Sequence, residues 1–370
     1  MSNQSLHIVS FDVPFPADYG GAIDVYYRIK ALHELGVKIT LHCYEYGRGN
    51  PKELEEITEK VYYYPRKKRM LDGLSKLPFI IQTRRSNALM NRLLEDDSPI
   101  LFEGLHTTFF LTDERLSERV KIVRTHNIEH HYYGHLAANS SGIKRRFFAN
   151  EAKKLEKYEP VLKAANHILA ISSTDESHFS HYGTNIRVLP PCYEQKDSFS
   201  QKSTEFYVLF HGNLSVSENA LSAKWLAEKI FPIDGVRFII AGKDPGKELL
   251  ALKNDWVDVI ANPSRQKMHA LISDARVHAL HTHQSTGVKL KLIQSLQTSG
   301  HVVVNSKMVE GTELSAYCSV VESSNEWKSS IANFLKHELD SSAFDKRLKL
   351  FEEGLNAKKN CAVLLDLMKG

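Results

Sequence analysis

Long apolar runs are missing from this chain of 370 residues. No hydrophobic stretch approaches the roughly 18 to 20 residues that a membrane-spanning helix needs. The first residues, MSNQSLHIVSF, also lack the basic stretch and the apolar core of a secretory signal peptide. The sequence therefore predicts a protein that remains in the cytoplasm.

Cysteine is scarce, and its positions are scattered. The four cysteines are Cys43, Cys192, Cys318 and Cys361, and none of them forms a C-x-x-C pair. This spacing argues against both a disulfide framework and a zinc ribbon. We expect ordinary buried thiols.

Several catalytic motifs are also missing. The sequence contains no G-x-G-x-x-G fingerprint, no Walker loop, no G-x-S-x-G elbow and no evident Cys/His nucleophile pair. These absences argue against a dinucleotide-binding oxidoreductase, a P-loop NTPase and an α/β-hydrolase. They leave open a protein that binds a phosphate-bearing ligand without a covalent nucleophile.

What the chain does contain is a regular alternation of short β-rich runs and helical patterns, which is typical of parallel sheets built from βαβ units. With 42% hydrophobic and 25% charged residues it has a globular composition, and its length favours two domains. We predict two doubly wound sheets in succession. The strands of the first are 6–11, 38–44, 61–63, 100–103, 121–124, 167–171 and 186–189, and those of the second are 207–211, 237–241, 257–260, 277–281, 301–305 and 319–321.

A polar segment that begins with two prolines, PPCYEQKDSFSQKSTE, separates the two series. A Pro-Pro pair continues neither a helix nor a central strand. We therefore predict a first domain at 1–190, a linker at 191–205, a second domain at 206–345 and a closing helix at 346–370.

Glycines follow three of the predicted strands, where a parallel sheet binds its ligands. Gly20 and Gly21 lie at the start of the helix after the first strand. They either let a ligand or another backbone approach closely or simply form a tight turn between strand and helix. Gly212 with Asn213, and Gly242 with Lys243, follow two strands of the second sheet. Exposed amides beside a lysine favour an oxyanion-binding crevice in the second domain.

The stretch HTHQSTGVKLKLIQSLQTSGHVVV, residues 281–304, predicts a helix from Gly287 to Gly300 with Ser285 or Thr286 as its N-cap. At 100° per residue, Gly287, Lys291, Gln294 and Ser295 fall on one polar stripe of an otherwise apolar helix. The stripe either faces a polar ligand or simply lets the lysines reach water.

Histidines and cations concentrate in two other places. His126 and His130 have i, i+4 spacing, but no third ligand can be named, so no metal site is predicted. Residues 62–92 carry eight Lys/Arg and one acidic residue. This basic segment is either a solvated loop or a patch for an anionic surface. Without a recognised module, nucleic-acid binding is not expected.

Taken in order, the motifs FPADYGGA, VRTHNIE, HGNLSVSEN, IAGK and GVKLKLIQSL…GHVVVNSKMVEGTEL resemble the GT-B glycosyltransferases of the retaining family-4 type. The resemblance covers essentially the whole chain. It implies two Rossmann-like α/β domains that face a cleft, a nucleotide-sugar (UDP- or GDP-linked) as co-substrate against the second domain, and an acceptor against the first. The acceptor would be a glycan or a lipid-linked oligosaccharide of cell-surface polysaccharide biosynthesis.

The resemblance also assigns residues by position. His106, Lys243 and Lys291 would be catalytic, and transfer would proceed with retention, without a metal or other cofactor. The donor side would comprise Gly212, Asn213, Thr286, Gly287, Gln294, Glu310 and Gly311. The acceptor side would comprise Asp18, Tyr19, Gly20, Gly21, His126 and Glu129.

This chain departs from the family in two places. Many members carry an Arg and a Lys soon after the phosphate-loop glycine, where this chain has Asn213 followed by Ser217, Glu218 and Asn219. Family members usually carry a glutamate pair separated by seven residues, where this chain has Thr286 and Gln294. Replacing a carboxylate that grips a ribose by an amide should cost about 1 to 2 kcal/mol of donor binding. A catalytically silent GT-B module that binds a glycan or a protein is therefore the alternative. The basic segment at 62–92 would, in this family, lie on the side facing an anionic membrane.

Overall fold

Two compact units make up the computed structural model, which describes residues 4–67, 75–183, 185–194 and 205–369. One unit consists of Met1–Gln195 and Leu355–Gly370, and the other of Lys196–Gly354. Each unit is built on a single parallel sheet. The thirteen predicted strands are confirmed. The majority of their ends differ from the prediction by one or two residues, and the other ends agree.

The first unit contains a seven-stranded sheet in the order β3-β2-β1-β4-β5-β6-β7. Its strands are β1 (Ser5–Ser10), β2 (Lys38–Glu45), β3 (Lys60–Pro65), β4 (Ile100–Glu103), β5 (Lys121–Arg124), β6 (His167–Ala170) and β7 (Ile186–Val188). Its helices include α1 (Gly20–Glu34), α2 (Phe79–Gln82), α3 (Asn87–Leu93), α4 (Glu129–Ala138), α5 (Gly142–Tyr158) and α6 (Ser173–Phe179). Apolar clusters cover both faces of the sheet, which explains why its central strands are continuously hydrophobic.

The second unit contains a six-stranded sheet in the order β10-β9-β8-β11-β12-β13. Its strands are β8 (Glu205–Asn213), β9 (Arg237–Lys243), β10 (Val257–Ala261), β11 (Ala275–Leu280), β12 (His301–Val304) and β13 (Ser319–Val320). Its helices are α7 (Ser217–Trp225), α8 (Lys247–Leu250), α9 (Arg265–Asp274), α10 (Leu290–Leu296), α11 (Ser306–Val309), α12 (Ser324–Lys336) and α13 (Ser341–Lys349). Among the described helices of both units, none is long and apolar enough to cross a bilayer.

The segment predicted as one closing helix, 346–370, is interrupted. The helix α13 continues into a π-helical turn at Leu350–Gly354, and a new helix, α14 (Ala357–Leu367), follows. The Asn356 side chain accepts a 3.0 Å hydrogen bond from the Lys359 amide and so begins α14 as a separate helix. This last helix belongs to the first unit.

The start of the expected linker at 191–205 is packed rather than exposed. Cys192 and Tyr193 are buried in the first unit. The Cys192 amide donates a 2.7 Å hydrogen bond to Asp24, and the Tyr193 hydroxyl donates to the Leu355 carbonyl. Residues 195–204 of the predicted linker lie outside the described residues.

Candidate functional site

Both sheets have a point where the strand order reverses direction, and ligands of doubly wound proteins bind beyond the carboxyl ends of the strands at such points. In the first sheet the reversal lies between β1 and β4, and in the second it lies between β8 and β11. The sequence-predicted site residues that follow β1, β4, β8 and β9 are therefore at the expected edges.

A buried network of charges forms the base of the first unit's candidate site. Arg28 of α1 donates to Glu103, at the end of β4, over 2.8 Å, and it also pairs with Asp24. Arg124, at the end of β5, contacts Asp24 at 3.2 Å. His126 directs one ring nitrogen at Glu103, 2.9 Å away, and the other at Asp24, 3.5 Å away. The network fixes the orientation of the imidazole that the sequence predicted for this site.

The charges of the network compensate one another. Burial alone would raise the pKa of Asp24, but the charges of Arg28 and Arg124 outweigh burial and hold this pKa at about 2. Burial likewise opposes ionisation of Glu103, and Arg28 reverses the effect, so that its pKa is also lowered. Two carboxylates and two guanidinium groups are thus stable together away from water. The sequence analysis did not identify Asp24, Arg28 or Glu103, because isolated charges on a helix or a strand carry no motif.

His106 lies beside this network in a neutral, partly covered position. Gly104 adopts a positive φ of 72°, and a side chain there would come within 2.9 Å of the His106 Nδ1 atom. That nitrogen has no hydrogen-bond partner among the described residues, and the nearest carboxylate oxygen, Oε1 of Glu129, is 3.8 Å away. Burial lowers the pKa of His106 well below its usual range, and the charge of Arg84 adds to the effect. This nitrogen is shielded from solvent, so a polar ligand can reach it only if neighbouring side chains move.

Glu129 is buried at the start of α4, and its carboxyl group is mainly in the neutral form near pH 7. Burial raises its pKa to about 8, although the charge of Arg84 opposes the shift. Arg84 is itself buried and is held by the carbonyl groups of Phe11 and Ile80, each at 2.8 Å. A protonated carboxyl group next to a neutral imidazole can donate or accept a hydrogen bond from a ligand hydroxyl.

The predicted acceptor-side loop, Asp18 to Gly21, is held by polar contacts at the end of β1. The Tyr19 hydroxyl donates a 2.7 Å hydrogen bond to Asp12. Arg48 lies over the Tyr19 ring and donates a 2.8 Å hydrogen bond to Asp18. The loop is therefore anchored to the sheet by two side chains that the sequence analysis did not assign, Asp12 and Arg48.

The glycine pair in this loop begins α1. Gly20 is the first residue of the helix. A side chain on Gly21 would come within 2.7 Å of the Phe11 ring. Glycine is therefore required at position 21 because the Phe11 ring lies so close to it. Close approach was one of the two interpretations of this glycine pair.

In the second unit, the ends of β8 and β9 approach each other closely. Asn213 and Lys243 are opposite each other in the parallel ladder. A Cβ atom on Gly242 would collide with the carbonyl oxygen of Gly212. The Lys243 side chain is exposed beyond the sheet edge. Glycine is needed at position 242 because two backbones meet there.

Lys291 is directed to the same edge. Its Nζ donates a 2.8 Å hydrogen bond to Oδ1 of Asn219 and lies 4.7 Å from the centroid of the Phe210 ring. The amide nitrogen of Asn219 donates to the Asn213 carbonyl over 2.8 Å. A Cβ atom on Gly212 would lie 3.4 Å from Asn219. The Gly212–Asn213 segment, which the resemblance assigned to donor binding, and Lys291, which it assigned as catalytic, are therefore brought together by one side chain of α7.

The Lys291 ammonium is largely removed from water. Burial lowers its pKa to about 8, while the negative charge of Glu218 opposes this shift and Lys289 adds to it. His211 lies near it, bonded to Ser295 at 3.0 Å, and burial lowers the pKa of this imidazole to about 3. An ammonium that lacks an adjacent carboxylate in hydrogen-bond contact favours an anionic ligand.

Thr286 and Gly287 belong to a loop that Glu218 organises. The carboxylate of Glu218 accepts hydrogen bonds from the Thr282 hydroxyl and the Gln284 amide. The side-chain oxygen of Gln284, Oε1, in turn accepts hydrogen bonds from the backbone amide and the hydroxyl of Thr286. Gly287 adopts a positive φ of 67°. The Thr286 hydroxyl is therefore engaged within the loop.

The helix predicted from Gly287 begins three residues later. The structure has α10 at Leu290–Leu296, with Lys289 as N-cap and no side-chain cap, so the predicted capping by Ser285 or Thr286 is wrong. The hydrogen bonds of Gln284 and the left-handed Gly287 keep the preceding residues in a loop. The apolar side chains Leu290, Leu292 and Ile293 are buried, whereas Lys291 and Gln294 are half-buried. Ser295, which the prediction placed on the same polar stripe, is fully buried and bonded to His211.

Glu310 and Gly311 directly follow α11, which is the helix after β12. Glu310 is exposed, and Gly311 adopts a positive φ of 74°. The sequence analysis named Glu218 and Asn219 only as a departure from the family and gave neither of them a role.

The basic segment is only partly a surface patch. Arg84 is buried, with 2% of its surface exposed. Arg85 covers the ring of Phe109, and Arg92 covers that of Tyr62, beside a groove of about 660 Å³. Residues 68–74 of the segment lie outside the described residues.

Comparison with known proteins supports the architecture. No family model matches the sequence. A protein of Klebsiella pneumoniae, described as an uncharacterized 44.6 kDa protein in the cps region, is 25% identical over 329 residues, which are 82% of this chain and 84% of the relative.

Solved structures match the whole chain at low sequence identity. WaaG, a glycosyltransferase involved in lipopolysaccharide biosynthesis, is 10% identical with a TM-score of 0.67, and the match covers 99% of this chain and 100% of WaaG. A trehalose-6-phosphate structure from E. coli with bound UDP-2-fluoro glucose is 12% identical with a TM-score of 0.66, over 99% of both chains. Anabaena HepE, in complex with UDP and glucose, is 14% identical with a TM-score of 0.60, over 98% of this chain and 100% of HepE. The chain has the GT-B fold of glycosyltransferases, with two Rossmann-like parallel-sheet units.

Proposed function

We propose that this protein is a glycosyltransferase that moves a sugar from a UDP- or GDP-linked donor to a glycan or lipid-linked acceptor, with retention of configuration, in cell-surface polysaccharide biosynthesis. The observation that carries the proposal is Lys291, a half-buried residue whose ammonium group is held by Asn219 beside Gly212 at the end of β8. The GT-B fold and the cps-region relative support it.

In the proposed reaction, Lys291 and Lys243 stabilise the diphosphate as the bond from the anomeric carbon to the phosphate oxygen breaks. The acceptor hydroxyl attacks the same face of the sugar, and its proton passes to the departing diphosphate or to solvent. Such catalysis is electrostatic and positional, and it requires neither a metal nor a protein nucleophile. His106 and Glu129 would orient hydroxyl groups in the first unit.

A donor panel tests this proposal. The purified protein is incubated with UDP- and GDP-sugars and a bacterial glycan extract, and release of nucleoside diphosphate is measured. Lys291→Ala should lower turnover by about 10²- to 10³-fold, as loss of a group that stabilises developing charge does. Lys267→Ala, an exposed lysine on α9, is the matched control and should behave as wild type.

The second candidate is a catalytically silent module, favoured by Thr286 and Gln294, neither of which carries a charge. Thermal unfolding with each nucleotide separates the two functions, because a ligand at 100 times its dissociation constant stabilises by about 2.7 kcal/mol. A protein that no nucleotide stabilises and that releases no diphosphate would be the silent module.

We also propose that the exposed part of the basic segment, with Lys67, Arg85 and Arg92, binds the anionic inner face of the cytoplasmic membrane. Each such cation contributes about 1 kcal/mol near an anionic leaflet. Sedimentation with phosphatidylglycerol vesicles should show binding that high salt reverses. Equal sedimentation with neutral vesicles would contradict this assignment.

A further inference from the structure

Two histidines and a glutamate from different helical segments converge in the first unit, away from the charge network. Nδ1 of His130, on α4, lies 3.1 Å from Oε2 of Glu159, and Nε2 of His178, on α6, lies 2.7 Å from Oε1 of the same carboxylate. Glu159 begins the 3₁₀ segment Glu159–Ala164, directly after α5. One ligand atom from each of the three side chains lies within 4.8 Å of the others.

From this arrangement we propose that His130, Glu159 and His178 form a binding site for Zn²⁺, with water at the fourth position. Zinc bonds of about 2.0 to 2.1 Å in a tetrahedron separate neighbouring ligand atoms by about 3.3 Å. The two histidine-to-glutamate distances, 3.1 Å and 2.7 Å, end on the two different oxygens of the Glu159 carboxylate. With one carboxylate oxygen as ligand, the three ligand atoms lie within 4.8 Å of one another, so metal binding requires them to approach by up to about 1.5 Å.

The ligand types favour zinc over the hard cations. Two imidazole nitrogens and one carboxylate oxygen suit Zn²⁺, whereas Mg²⁺ and Ca²⁺ prefer all-oxygen sites. Among the described residues, this is the one group of three such side chains with ligand atoms this close together. The i, i+4 pair that the sequence suggested is not the ligand pair, because His126 is bound to Glu103 and Asp24.

The group is both anchored and accessible. Glu159 is buried, and the Tyr182 hydroxyl donates a 3.0 Å hydrogen bond to its Oε1 atom, which fixes the carboxylate. The side chains of His130 and His178 remain 14% and 19% exposed. The exposed His131 ring packs against His130 with its centroid 4.4 Å away. A cation can therefore enter from solvent and meet a carboxylate that is already positioned.

The bound ion would be structural. It would join the first turn of α4 to the end of α5 and to α6, and thereby fix the backbone next to Glu129. The sugar-transfer reaction proposed above uses no metal, so the zinc site stands or falls independently of it.

Metal binding to the full chain tests the site directly. The protein is stripped with a chelator, dialysed, and titrated with Zn²⁺ in a calorimeter and with Co²⁺ in a spectrophotometer. We expect one equivalent of Zn²⁺ per chain, a higher unfolding temperature with zinc, and the intense visible absorption of four-coordinate Co²⁺. The absence of stoichiometric zinc binding, or a weak six-coordinate cobalt spectrum, would overturn the proposal and leave a hydrogen-bonded cluster.

Variants locate the bound ion. His178→Gln and Glu159→Gln should each weaken zinc binding by at least about 100-fold, because each removes a ligand. His135→Gln, an exposed histidine on the same helix α4, is the matched control and should bind as wild type. Circular dichroism of the metal-free variants verifies that they fold. Two ligand variants are used so that the test still holds if one of them does not fold. Equal affinity in ligand and control variants would place the ion elsewhere and overturn the assignment.

Discussion

Asn219 positions Lys291. Its Oδ1 atom accepts a 2.8 Å hydrogen bond from the ammonium, while its Nδ2 atom donates a 2.8 Å hydrogen bond to the carbonyl of Asn213. One amide on α7 thus joins α10 to the end of β8. If the proposed donor binds at the end of β8, the position of the Lys291 ammonium that meets it depends on the uncharged side chain of Asn219.

Asn219→Ala should raise the donor KM about tenfold and lower kcat less, since hydrogen bonds to charged groups contribute roughly 1.5 to 3 kcal/mol. Steady-state kinetics with the donor found in the panel measures this split. Asn333→Ala, an exposed amide on α12, serves as the control. Identical kinetics for both variants would show that Asn219 does not position the ammonium.

Donor binding should weaken above about pH 8. Burial lowers the pKa of Lys291 to about 8, so the free protein carries this charge below that pH and loses it as the pH rises. Because a diphosphate requires the ammonium, the donor KM should rise roughly tenfold per pH unit above 8. Lys291→Arg retains its charge throughout and should flatten the profile. An unchanged slope in the arginine variant would assign the pH dependence to another group.

Glu103→Gln should destabilise the first unit by about 3 to 5 kcal/mol, because it leaves the buried Arg28 without one of its charge partners. All three tryptophans, Trp225, Trp256 and Trp327, lie in the second unit. Urea unfolding followed by tryptophan fluorescence therefore reports the second unit, whereas circular dichroism reports both.

The control for this variant is Glu56→Gln, an exposed carboxylate of the same unit. The unfolding transition of the first unit is detected by circular dichroism but not by tryptophan fluorescence. We expect its midpoint to move to a lower urea concentration for Glu103→Gln and to stay unchanged for Glu56→Gln. Equal midpoints for the two variants would contradict a stabilising role of the network.

Gly242→Ala should cost about 1 to 3 kcal/mol or more and impair donor binding, because the added methyl group meets the Gly212 carbonyl and the Leu214 side chain. Gly246→Ala is a close control, since its φ is −66° and nothing lies within 4 Å of the added atom. Thermal unfolding and nucleotide titration of both variants measure the difference. Equal stability of the two would mean that β8 and β9 separate without penalty.

The sequence predicted the sheets well because strands buried on both faces are continuously apolar and are separated by polar turns. It also placed Lys291 and Gln294 on one stripe. It failed at the start of α10, where the hydrogen bonds of Gln284 with Thr286 compete with helix formation. Helical periodicity contains no information about such side-chain competition.

The contacts that organise both candidate sites were invisible in the sequence for a different reason. Glu103 and Arg28 are 75 residues apart, and Lys291 and Asn219 are 72 apart. Their pairing depends on which strands are neighbours, and a single sequence without a motif does not reveal this order. The same limit explains why His130 was compared with His126, four residues away, rather than with His178.

The return of the last helix to the first unit has a consequence for biosynthesis. Gln4 Nε2 donates a 3.3 Å hydrogen bond to the Leu365 carbonyl, so the two ends of the described chain are neighbours. A ribosome releases residues 196–354 before it releases α14. The first unit therefore keeps the surface around Cys192 and Cys361 uncovered until α14 has been made, after all residues of the second unit.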